Sequence, residues 1–181
     1  MRRALCFIAL AALTTPGPAA RGQDRAQDLS AVVIPLATRE SAAYVKAFNE
    51  RNSKALATLF TSDSSVAFLE GESIEKLQYG MAAGKDVIVS SHEVFFSSYP
   101  GAKLTETVLS ARLIRPDVLI ADVDFEIKGM PGDAGPILGR SVVVRVLESG
   151  AWKISAGRSF AREPGGKISA TPSPRPRAGK P

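Results

Sequence analysis

The side chains whose type and spacing could do chemistry are few. They are a phenol at Tyr44, the single imidazole at His92, a run of carboxylates at Asp122, Asp124 and Glu126, and a guanidinium at Arg158. The three acids stand at two-residue steps, so on a strand they share one face, an arrangement that can bind a hard cation. Arg158 falls in step with Trp152, Ile154, Ala156 and Phe160, and strict alternation puts all five on one face of the same strand. An arginine on so apolar a face must find a partner or reach solvent. It could close a pocket mouth and bind a substrate carboxylate bidentately, or it could pair with Asp63 or Glu70. Other chemistries lack their residues. One histidine and one cysteine, Cys6, do not make a zinc site. No serine sits in a nucleophile-elbow pattern, and "GMPGDAG" lacks the lysine and the helix that a phosphate cradle requires. No nicotinamide or flavin motif is found, and neither a cofactor nor a metal is expected.

The N-terminal stretch "MRRALCFIALAALTTPGPAARGQD" has two arginines, an apolar run from Ala4 to Leu13, then small, Pro and Gly residues. That is the layout of a secretory signal peptide. Residues 1–22 are expected to be cleaved after Gly22, with Ala20 as the alternative end, and the protein to be exported to the periplasm or secreted. The apolar run is about half the roughly 20 residues needed to span a bilayer, and no later run is longer, so no membrane span is expected. Cys6 precedes that run, where it is misplaced for lipid attachment, and leaves with the leader; the remaining chain then has no thiol and no disulfide.

The formal charge of +5 is unevenly placed. Arg2, Arg3 and Arg21 carry three of those charges; residues 162–181 carry +4, from five basic residues against Glu163; the body from Gln23 to Ala161 is therefore −2. Basicity belongs to the ends, and no specific nucleic-acid partner is expected. The tail, residues 163–181, is basic and Pro-rich, and "ISATPSPRPRAGKP" has too few apolar residues to offset the entropy of ordering.

These side chains must be positioned by one domain, since 181 residues with 45% hydrophobic content suit a single core. The domain is expected over 38–162, after a linker at 23–37. In a first helix Ser41, Tyr44, Ala47, Phe48 and Arg51 recur at three- and four-residue steps, with Pro35 suited to its first turn. Asn52 or Ser53 can cap a second helix whose buried stripe is Leu56, Leu59 and Phe60. A short strand around Val66 to Leu69 and an extended stretch from Ile74 to Tyr79 follow. The third helix begins after Gly84 with Ile88, His92, Phe95 and Tyr99 facing inward, and Pro100-Gly101 stops it. Four long strands, near Lys103–Ile114, Val118–Lys128, Ile137–Leu147 and Trp152–Ala161, are joined by short turns and so are antiparallel neighbours. Helices gathered ahead of such a run predict an α+β architecture, with the helices covering one face of a curved sheet.

In order and spacing, "AYVKAFNERNSKALATLF", "DSSVAF", "GKDVI", "RPDVLIADVDFEIKG" and "SGAWKISAGR" resemble the nuclear transport factor 2-like superfamily. Within it the chain is similar to SnoaL-like and SgcJ/EcaC-type proteins, over roughly Thr38 to Arg162. The resemblance implies a cone, a strongly bent antiparallel sheet wrapped around three helices with a pocket at its open end. It also implies that Ala121, Val123, Phe125 and Ile127 face into the cone, which turns the three acids outward beside neighbours such as Arg112 or Arg145. Tyr44 matches the position where steroid isomerases of that superfamily place a phenol that donates to a developing oxyanion, and His92 the polar ring behind it. Alternatively, Tyr44 packs along the core and His92 satisfies its hydroxyl. The general-base position holds Phe68, and the protonated-acid position falls on a valine of "SVVVRV". Glu70 is the spare carboxylate, or else a solvated loop acid.

Such a fold supports many activities and fixes none. Three readings remain open. The first is an exported protein binding a small apolar molecule in a pocket lined by Tyr44, Phe48, Phe60, Phe68, His92, Phe95, Val123, Phe125, Trp152 and Arg158. The second is a cyclase-, isomerase- or hydrolase-like enzyme using Tyr44 and His92. The third is a dimerisation or partner-binding module acting through the outer sheet face, where a homodimer is expected in any case.

Overall fold

The computed structural model describes residues 18–70, 78–130 and 135–162. Most of the signal peptide, the side chain of Glu70, residues 71–77 and the basic tail lie outside the described residues. Nine elements follow in order: α1 (Pro18–Asn49), α2 (Ser53–Leu59), β1 (Phe60–Glu70), β2 (Gln78–Ala83), α3 (Lys85–Ser98), β3 (Lys103–Arg115), β4 (Val118–Lys128), β5 (Ile137–Glu148) and β6 (Ala151–Arg162).

The first helix starts well before its expected first turn, and Pro35 lies inside it. The stretch expected as a linker is continuous helix. Its reason is packing: Val33 and Ala37 are buried against Leu119, Ala121 and Val123 of β4, while Pro35 sits on the exposed side. The corner after α1 turns through Arg51, in the left-handed region at φ 52°, and Asn52 then caps α2 by accepting from the Ala55 N–H at 3.0 Å. At the end of α1, Asn49 imitates a strand neighbour. Its amide donates to the Leu104 carbonyl (2.9 Å) and accepts from the Leu104 N–H (2.8 Å), pinning the helix to β3.

The six strands form one sheet in the order β2-β1-β6-β5-β4-β3. Four junctions are antiparallel, as short turns require, but β1 pairs with β6 in parallel. No hairpin joins those two strands, so no turn sets their relative direction. Three strands carry extra residues. Leu109 and Ile114 are unpaired in β3, Ser155 is unpaired in β6, and residues 61–64 of β1 have no partner on β6; such irregularities bend and twist the sheet. The helices lie on the concave face, where Phe48, Leu56 and Phe96 meet Leu104, Phe125 and Ile127, and Ile88 meets Phe60 and Ile154. No helix among the described residues is long and apolar enough to cross a membrane.

Candidate functional site

One side of α1 and one side of α3 meet over the concave face and bring Tyr44 to His92. The phenol oxygen and Nε2 are 2.9 Å apart, and the other ring nitrogen, Nδ1, is 2.8 Å from the Ile88 carbonyl. A carbonyl can only accept, so Nδ1 carries the proton, Nε2 is the acceptor, and Tyr44 donates to it. Burial holds His92 below its ordinary value of 6.5, which keeps the ring neutral and this tautomer in place. Burial, then the nearby Glu106 charge, pushes the phenol above its ordinary range. Around the pair stand Phe48, Phe60 and Phe96, with ring centroids 6.0–6.3 Å from one ring or the other. Phe95 packs on Phe48, Phe96 and Tyr99.

Two charged groups that sequence reasoning did not place here join this cluster. Glu106 is on the concave face of β3, in step with Leu104 and Val108, and accepts from the buried Ser41 hydroxyl of α1. Burial raises its carboxyl above the ordinary value, against the Ser41 hydrogen bond and Arg145, which lower it. Arg145 was expected outside, beside the acids. It is in register with Leu119 and Ile154 on the concave face and is 3% exposed. Its charge is balanced by Glu106 and Glu40, yet Nη1 has no hydrogen-bond partner among the described residues. Glu106 was legible as one acid in the apolar phase of an alternating strand. Arg145 follows three valines, a run with no alternation to read.

Arg158 is the second correction. Beyond the Ser155 bulge the phase of β6 reverses, so Gly157, Ser159 and Ala161 face the cone while Arg158 and Phe160 face out. Arg158 there donates to the Ser65 carbonyl and hydroxyl, both at 3.0 Å, and pairs with neither Asp63 nor a pocket ligand group. Asp122, Asp124 and Glu126 do face outward. Their partners are Ser110, Arg140 and Lys128, and no metal-holding group of His, Cys, Asp or Glu occurs among the described residues.

Toward the β1–β2 edge the concave face changes character. Phe68 is 40% exposed although it points inward, its ring centroid 6.2 Å from that of buried Phe125. Directly opposite Phe68 on β2 is Gly80, and a Cβ built there meets nothing within 4 Å. Gly139 has the reverse role: a Cβ there would come within 2.3 Å of the Phe125 ring, so only glycine lets that ring lie flat on β5. Beside Phe68, across the parallel junction, stands Ser159, whose hydroxyl is 2.8 Å from that of Ser141. Val123 and Trp152 belong instead to the packing under α1. A shallow depression lined by Asp86, Val87, Ser90, Ser91 and Val94 lies on the outward side of α3, away from all these groups.

No protein-family model matches the sequence, and no curated protein does. Solved structures do match in fold. A cystatin-like protein from Caulobacter vibrioides is 21% identical with a TM-score of 0.55, over 80% of this chain and 92% of that one. A nuclear transport factor 2-like protein of unknown function from Pseudomonas putida is 11% identical with a TM-score of 0.56, over 73% and 88%. A ketosteroid isomerase-like protein from Erwinia carotovora atroseptica is 17% identical with a TM-score of 0.52, over 72% and 94%. The chain has the nuclear transport factor 2-like, or cystatin-like, α+β fold.

Proposed function

We propose that this is an exported protein that binds a small, largely apolar molecule at the open end of the cone, between Phe68, Phe125 and the bare backbone of Gly80. The observation that carries the proposal is Phe68, an aromatic ring on the concave side of the sheet that is neither buried nor covered and has open space across from it. Pockets of this kind are mostly apolar with a few polar groups, and aromatic faces supply much of their contact area. The leader-like N-terminus supports export, and the apolar positions Ile120, Val142 and Val144 on the outer sheet face support a homodimer through that face.

Gly80→Phe tests the site directly. The added Cβ meets no atom within 4 Å and the ring can lie over Phe68 across the strand pair, so the melting temperature should stay within a degree or two of wild type. Binding of small bicyclic aromatics, followed by titration calorimetry, should fall at least tenfold. Unchanged affinity would refute the site.

A second reading is favoured by Glu106. A buried carboxyl with a raised pKa, close to Tyr44 and Arg145, has the character of an acid–base group. On this reading the protein is an enzyme whose proton carrier is Glu106, since the protons of Tyr44 and His92 are engaged with each other and with Ile88. Turnover of any substrate found for the protein would then be lost in Glu106→Gln, while binding persists.

A further inference from the structure

The two serine hydroxyls beside Phe68 have one proton between them and one left over. Ser141 is 7% exposed, and the hydrogen-bond partner of its hydroxyl among the described residues is Ser159. If Ser159 donated to Ser141, the Ser141 proton would be left buried without an acceptor, an unfavourable state. The better arrangement has Ser141 donate, so the Ser159 O–H is left over on the more open side. Ser159 occupies the position next to Phe68 on the adjoining strand, on the same face, with backbones about 4.8 Å apart. A donor with no acceptor among the described residues therefore stands at the edge of the exposed ring.

From this we infer that Ser159, oriented by Ser141, is the specificity-determining residue of the site, and that its ligand is a flat aromatic molecule bearing an uncharged acceptor oxygen such as a ketone. The inference rests on the binding site proposed above. Charge decides against a carboxylate. Arg158, the cation nearest in sequence, faces the other side of the sheet. Arg145 is four residues from Ser141 along β5, roughly 13 Å at the usual rise of a strand and beyond hydrogen-bond reach of a ligand on Phe68. An anion on Phe68 would lose its hydration with no positive charge to replace it, whereas a carbonyl needs only the one donor.

The test compares 2-acetylnaphthalene, 2-ethylnaphthalene and 2-naphthoate by titration calorimetry against the full chain, in wild type, Ser159→Ala, Ser159→Thr and Gly80→Phe. Wild type should bind the ketone roughly three- to tenfold more tightly than the hydrocarbon, the effect of one neutral hydrogen bond. Naphthoate should bind most weakly. Ser159→Ala should erase the ketone preference while hydrocarbon binding is kept, and Ser159→Thr should restore it. Thermal melts of each variant show that the fold is intact. Equal binding of ketone and hydrocarbon, a preference that survives Ser159→Ala, or tightest binding of naphthoate overturns the inference while the site itself stands. Absence of binding by all three compounds, or indifference to Gly80→Phe, removes the site and the inference with it.

Discussion

His92 shows how much one side chain's surroundings determine. With Nδ1 donating to Ile88 and Nε2 accepting from Tyr44, the imidazole has a single stable tautomer, and protonating it would reverse the bond to Tyr44 and leave the buried phenol proton without its acceptor. Because the folded pKa lies below the ordinary 6.5, the unfolded chain takes up a proton first as pH falls. The contribution of His92 to stability is thus complete above pH 6.5 and is lost as pH drops through the window below it, at up to about 1.4 kcal/mol per pH unit. Glu106 runs the other way: its raised folded pKa favours the folded state at low pH, and that contribution fades as pH rises past the ordinary carboxyl value of 4.5. Comparing wild type with His92→Gln cancels the Glu106 effect. Urea unfolding from pH 7 to pH 5 should show the steeper loss in wild type. As the chain's single histidine, His92 also gives one set of ring nitrogen signals by NMR, which should report the Nδ1–H form. The meeting of Tyr44 and His92 was anticipated from the order of motifs. The presence of Glu106 and Arg145 beside them was not, because charged residues in a cone interior contradict the rule that strand interiors are apolar.

At the scale of elements, the existence, length and direction of β3 to β6 were readable from β-branched and aromatic runs and the turns between them. By contrast, β1 starts at Phe60 instead of near Val66, β2 covers Gln78–Ala83 instead of Ile74–Tyr79, and the parallel seating of β1 on β6 had no turn to announce it. Phase was not readable. A bulge inserts one residue without any marker in composition, and every side chain beyond it changes face. Ser155 did this to Arg158 and Phe160, and by the same step turned Ser159 into the cone. The long first helix was cut short in sequence because proline normally opens a helix; burial of Val33 and Ala37 carries it through Pro35. Helix α1 is fastened to β3 by Asn49, and that bond can be measured. Asn49→Ala removes both hydrogen bonds and leaves the Leu104 N–H and carbonyl without partners at a half-buried junction. The expected loss is about 2 kcal/mol in chemical denaturation. Asn49→Asp, which keeps the acceptor and loses the donor, should fall between.

For the whole molecule, the two faces of the sheet have different tasks. The concave face holds the core and the candidate site. The convex face carries Ile120, Val142 and Val144, with Phe160 50% exposed and Leu138 44% exposed at its margin, among ion pairs such as Arg140 with Asp124. An apolar centre within a polar margin is the composition of a protein interface. Light scattering after size exclusion should report a dimer for the wild type, and the pair Val142→Lys with Phe160→Asp should give a monomer that still binds 2-acetylnaphthalene; a monomeric wild type at tens of micromolar would rule this assembly out. The parallel junction of β1 with β6 has a consequence in time. Within the sheet, β1 and β2 are joined to the other strands only through β6, so a ribosome must release β6 before the sheet can close. Contacts this distant in sequence slow the search for the native state, and until then the β1 edge is open to any chaperone waiting for it.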